Sequence, residues 1–154
     1  MKKPSYKVLA TGIIIIIVFA ALLLYFCPME MSDLINEDYE IRITRTEVGV
    51  RDGEPYIDTK NYDDLTEEQR QDIMSLFQQY TYRRTPGTLF SDGSISGAVN
   101  NYINIFVYED SELVRTIIIS DTGGMSLDSR VYAAQEPSAL IQDIISVIER
   151  SVKD

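Results

Sequence analysis

The chain has 154 residues, with 24 Asp and Glu against 14 Lys and Arg, a net charge of −10, one cysteine and no histidine. That charge repels phosphate backbones and argues against a nucleic-acid partner. Without histidine there are no His-based nucleophilic triads, no usual zinc constellations and no imidazole general base, so any catalysis would rest on carboxylates, lysine, serine or tyrosine.

The first element is an uncharged, almost wholly apolar run over residues 8–27, centred on Ile13 to Ile17 and preceded by Lys2, Lys3 and Lys7. Twenty helical residues span about 30 Å, the thickness of a bilayer's hydrocarbon core, so the run is expected to be a transmembrane signal anchor. Val18-Phe19-Ala20 is a passable signal-cleavage triplet, but cutting there would leave Ala21 to Phe26 as an apolar new N-terminus. Cys27 sits where a lipoprotein keeps its lipidated cysteine, yet bulky Phe26 precedes it instead of a small residue. The lysines lie before the span, and Glu30, Asp33, Glu37, Asp38 and Glu40 follow it, with no Lys or Arg before Arg42. The positive-inside rule then puts residues 1–7 in the cytoplasm as a basic tail and everything after residue 27 outside, in a single-pass arrangement. Beyond residue 27 there are 24 acidic and 11 basic residues, a charge of −13.

Residues 28–40 read as an acidic stalk, and residues 41–154 as one extracytoplasmic domain of about 115 residues, enough for a single core. It has no cysteine to staple it, a usage that fits a bacterial surface better than a eukaryotic secretory domain. Residues 41–48 are a strand candidate; Asp52-Gly53 supplies a tight turn and residues 56–59 return as its partner. Asp64, or Thr66 with Gln69 three residues on, offers an N-cap for a helix over 65–80 whose apolar stripe is Leu65, Ile73, Met74, Phe77 and Tyr80. Residues 80–84 begin a further strand, stopped by Thr85-Pro86-Gly87. Residues 86–98, rich in glycine, serine and threonine, read as a long loop with Leu89-Phe90 tucked in.

Strands over 102–108, 113–120 and 125–132 follow as a three-stranded meander, with turns at residues 109–112 and 121–124. Glu136-Pro137 opens a closing helix with Ile141, Ile144, Ile145, Ile148 and Val152 on one face. The order ββ-α-(β)-βββ-α lacks one-by-one alternation, which disfavours parallel βαβ units. The expected fold is α+β: an N-terminal transmembrane helix, then an antiparallel sheet with two helices packed on one face.

Three groups of residues carry possible chemistry. Ile117 to Gly124 is an apolar strand running into Asp121-Thr122-Gly123, which resembles the catalytic loop of aspartic proteases. With one copy, a shared-proton dyad would need a symmetric dimer; that family is almost all-β and carries an apolar pair followed by glycine where this chain has a helix. A surface turn favours the same residue types, because Asp bonds its own backbone and Gly supplies positive φ. Asp63, Asp64, Glu67 and Glu68 surround a helix start, where the macrodipole favours negative charge; calcium is the alternative, but residues 58–64 lack the EF-hand ligand order and glycine. No metal site or cofactor is assigned. Ser91-Asp92-Gly93-Ser94 hints at a phosphate loop but lacks the lysine.

The partner-binding candidate is Tyr80, Tyr82, Arg83 and Arg84, the one basic pair in an acidic domain, beside residue types enriched at binding hot spots. On a strand Tyr80, Tyr82 and Arg84 would share one face and Arg83 the other.

A short basic tail, one span, an acidic stalk and a small histidine-free α+β domain together resemble the small membrane-anchored extracytoplasmic families of Gram-positive bacteria. The resemblance lies in layout and carries over no functional residue; it implies a location at the cell surface. The expected function is a non-enzymatic protein or peptide interaction, sensing or immunity-type module whose partners are membrane lipid, through residues 8–27, and an envelope or surface protein or peptide. The alternatives are a dimeric hydrolase using Asp121 and a structural subunit of a larger membrane assembly.

Overall fold

The computed structural model describes residues 6–35, 38–95 and 100–150, with the side chains of residues 7–9 excepted. Expectations that fall on Lys2, Lys3, Glu37, residues 96–98 and Val152 lie outside the described residues.

The apolar run folds as helix α1, Tyr6–Tyr25. Its apolar side chains are exposed all round, including Ile14, Ile16, Phe19 and Leu24. A transmembrane helix is expected over residues 8–27; among the described residues, however, no helix is long and apolar enough to cross a membrane.

Residues 28–40 are not a free stalk. Strand β1, Met29–Glu30, and a single 3-10 turn, Met31–Leu34, belong to the domain. Met31 is fully buried, and Leu34 and Ile35 join the same core. Glu30, Asp33, Asp38 and Glu40 face outward while Met31, Leu34 and Ile35 are drawn into the sheet's packing, because burial of several large side chains outweighs the segment's average polarity.

Seven more strands and two more helices complete the fold: β2 Glu40–Arg51, β3 Glu54–Tyr62, α2 Glu67–Phe77, β4 Thr81–Arg84, β5 Asn101–Glu109, β6 Glu112–Ser120, β7 Gly124–Leu127, β8 Arg130–Ala134 and α3 Pro137–Ile148. They form one eight-stranded sheet in the order β1-β4-β8-β7-β6-β5-β2-β3. Every neighbouring pair is antiparallel. The α+β class and the antiparallel sheet thus agree with expectation.

Three hairpins turn on two residues that both take positive φ: Asp52-Gly53, Asp110-Ser111 and Asp128-Ser129. That geometry matches strand twist, and Asp tolerates it. The third hairpin corrects the expected single strand over 125–132, which is β7, a turn and β8. A serine in place of glycine concealed it.

Helix α2 starts at a capping box: Thr66 Oγ1 accepts from the Gln69 amide at 3.2 Å, and Gln69 Oε1 accepts from the Thr66 amide at 2.8 Å. Helix α3 starts at Glu136, whose φ of 45° turns the chain sharply out of β8. Both helices pack on one face of the sheet, where Ile73 and Phe77 from α2 and Leu140, Ile144 and Ile148 from α3 meet Ile43, Ile105, Ile117, Ile119 and Met125. Leu89 and Phe90 are not tucked in; Thr88 takes the buried place in that loop, and both apolar side chains face solvent.

Candidate functional site

Tyr80 to Arg84 does not assemble into one surface. Strand β4 lies between β1 and β8, with Met29 opposite Tyr82 and Tyr132 opposite Arg84. Tyr82 points into the core and meets the Tyr132 ring edge-on at 5.4 Å between centroids. Arg84 is on the same side but reaches the end of α1, where its guanidinium lies 5.0 Å over the Tyr25 ring and donates to the Tyr25 carbonyl at 3.4 Å. Tyr80 precedes the strand, and its hydroxyl donates to Asp143 on α3 at 2.7 Å. Burial first, and then the hydrogen bond and charge of Asp143, push the Tyr80 phenol up to about 12. Only Arg83 faces outward, lining a shallow cleft of about 290 Å³ with Pro28, Thr81, Ala133 and Gln135.

Asp121 is held as a turn residue. Its carboxylate accepts from the Asn101 amide at 2.9 Å and from the Asn100 amide at 3.3 Å, tying the end of β6 to the start of β5. Gly123 takes a φ of 102° in the same turn. Both carboxylate oxygens are thus engaged by backbone, a structural use of the Asp-Thr-Gly triplet. At the start of α2, Glu67 pairs with Arg70 and accepts from Gln71. Among the described residues, no group of three or more His, Cys, Asp or Glu is arranged to hold a metal ion. Asp92 accepts from the Ser94 amide at 2.9 Å in a local turn, and that bond keeps its carboxyl below the usual range.

A different surface emerges on the side of the sheet away from the helices. On β5, Ile103, Ile105 and Val107 face the core, so Tyr102, Asn104, Phe106 and Tyr108 alternate onto the opposite face and are each half-buried. Register adds Thr44 and Arg42 from β2 and Ile118 and Thr116 from β6. Arg42 lies 4.7 Å over the Tyr108 ring and donates to Glu40 at 2.8 Å. Asn104 Oδ1 is out of reach of solvent and has no hydrogen-bond partner among the described residues. Residues 92–95 cross part of this face. Beneath them lie a mainly apolar cleft of about 270 Å³, walled by Ile95, Tyr102, Ile118 and Ser120, and a more polar one of about 420 Å³, walled by Ser94, Thr116, Ser126 and Ser129.

This face combines aromatic surfaces, one stacked cation and hydroxyls, and tyrosine and arginine are among the residue types enriched at binding surfaces. Sequence reasoning missed it. The signal was present in Tyr102-Ile103-Asn104-Ile105-Phe106-Val107-Tyr108, whose second alternate set is as aromatic as the first is aliphatic.

Compared with known proteins, the chain matches no family model, and neither a curated protein nor a solved structure proves similar to it.

Proposed function

We propose that this protein is a non-catalytic binding module held at the outer face of a cell membrane, with α1 entering the bilayer and the helix-free sheet face receiving an envelope or surface protein or peptide. The observation that carries the binding reading is the row Tyr102, Asn104, Phe106 and Tyr108, which turns three aromatic side chains and an amide away from the core. The membrane reading is supported by the exposed apolar side chains of α1, since a helix apolar on every side needs an apolar surrounding. Lys2, Lys3 and Lys7 ahead of it, and the acidic residues after it, favour an N-in orientation. The domain's negative charge speaks against nucleic acid as the partner.

The test places a photo-crosslinking amino acid at Phe106 of the full chain in native membranes, with the same probe at Gln79, an exposed residue that follows α2. A discrete protein adduct from position 106, absent from position 79 and lost when Tyr102 and Tyr108 are changed to alanine, supports the reading. Equal adducts from both positions, or none from 106, contradict it.

A further inference from the structure

Beside the end of α1, the turn Pro86–Leu89 leads into two exposed apolar residues that are fixed in place. Before them, Thr88 Oγ1 accepts from the Thr85 amide at 2.8 Å and donates to the Val131 carbonyl at 2.5 Å. After them, Ser91 Oγ accepts from the Val131 amide at 2.9 Å. Both polar groups of one β8 residue therefore clamp the loop, and between the clamps Leu89 is 60% and Phe90 88% exposed. A floppy loop would show apolar side chains by chance. A clamped turn that buries a threonine and displays a leucine and a phenylalanine forgoes the gain of burying them.

Position tells what covers them. Met29 pairs with Tyr82, so the chain leaving α1 meets the Arg84 end of β4, and the displayed pair follows directly from that end. Arg84 itself lies against Tyr25 at the last residue of α1. Arg83 is next to it on β4 and Arg130 begins the neighbouring β8, with the acids Glu30 on β1 and Asp33 in the following turn close by. Exposed aromatic and aliphatic tips flanked by arginines, next to the Tyr25-Phe26 end of an apolar helix, fit the headgroup–acyl boundary of a bilayer.

We propose that Leu89 and Phe90 insert into the interfacial layer of the membrane that α1 enters, giving the domain a second lipid contact that fixes its tilt. The proposal rests on the membrane reading of α1.

The chain contains no tryptophan, so a single introduced tryptophan is an unambiguous probe. Three full-length variants, I17W, F90W and V50W, are reconstituted in phosphatidylcholine vesicles carrying lipids brominated at shallow or deep acyl positions. Val50 is 72% exposed on the β2–β3 hairpin, at the opposite end of the sheet. The expected result is loss of I17W fluorescence to deep bromines, loss of F90W fluorescence to shallow bromines with a blue-shifted emission, and no change for V50W. If I17W is quenched while F90W behaves like V50W, the second contact is refuted and the anchor stands. A blue-shifted but unquenched F90W overturns it in favour of a protein covering the pair. An unquenched I17W removes the anchor and this proposal with it.

Discussion

Gln69 joins two helices, and its removal should cost more than a lost helix cap. It is 7% exposed. Its Oε1 accepts from the Thr66 amide at 2.8 Å, and its Nε2 donates to the Val147 and Ile148 carbonyls at 3.3 Å each, at the end of α3. Those carbonyls belong to the last turn, where the regular i to i−4 ladder has run out. Thr66→Ala removes one capping bond and should cost about 1 kcal/mol. Gln69→Ala removes the reciprocal capping bond and both donations to α3, at about 1 kcal/mol net each, so its cost should reach about 2–3 kcal/mol. For a domain of this size that lowers the midpoint of thermal unfolding by roughly 10 °C. Gln69→Glu keeps the capping acceptor but turns a carboxylate toward two carbonyl oxygens. Repulsion raises that carboxyl's pKa in the folded state, so the variant should be as unstable as Gln69→Ala at neutral pH and recover as pH falls through the raised value. Thermal unfolding of the full chain by circular dichroism, in one detergent for all variants, reads these differences. If Gln69→Ala is no less stable than Thr66→Ala, the link to α3 carries nothing and the reasoning fails.

Three further outcomes follow from the packing. Phe77 is fully buried between α2 and the sheet, so Phe77→Ala should lose about 3–5 kcal/mol in denaturant unfolding; a loss below about 1 kcal/mol would place that ring outside the core. Tyr80, raised to about 12, keeps its proton in the folded state after tyrosines of the unfolded chain have lost theirs near pH 10. Its contribution to stability is therefore full below about pH 10 and lost as pH rises toward 12; Tyr80→Phe should delete a late step from the ultraviolet tyrosinate titration, and an unchanged curve would refute the assignment. At Gly93, φ is 86° and an added Cβ would sit 2.7 Å from the Ser129 Cα, so Gly93→Ala should destabilise by at least about 1 kcal/mol and open residues 91–94 to protease, whereas Gly87→Ala, which meets only Thr85 Oγ1 at 3.4 Å, should do neither.

Where local chemistry decided the structure, the sequence was readable. Asp52-Gly53 between alternating runs, the Thr66–Gln69 box, and Pro137 ahead of the isoleucines of α3 each name their element without help from the rest of the chain. Where long-range packing decided it, the reading failed. The acids of residues 28–40 obscured Met31, Leu34 and Ile35, which are buried only because β4 and α2 lie beside them. Tyr82 and Arg84 shared a face as expected, yet that face proved to be the interior and the end of α1. Asp128 and Ser129 carry no glycine, so nothing local marked the turn that splits the final strand. The helix-free face was legible in principle, since alternation on β5 sorts aliphatic from aromatic side chains. It was overlooked because a strand is usually searched for its core face alone.

The account turns on α1 holding the domain outside the membrane, and impermeant thiol labelling tests that most directly. With Cys27, the only cysteine, changed to serine and Val50→Cys introduced on the exposed β2–β3 hairpin, intact bacterial cells expressing the full chain are treated with a membrane-impermeant maleimide and fractionated. The account predicts label on protein in the membrane pellet without permeabilisation. Label that enters only after lysis, or labelled protein recovered in the soluble fraction, would contradict it.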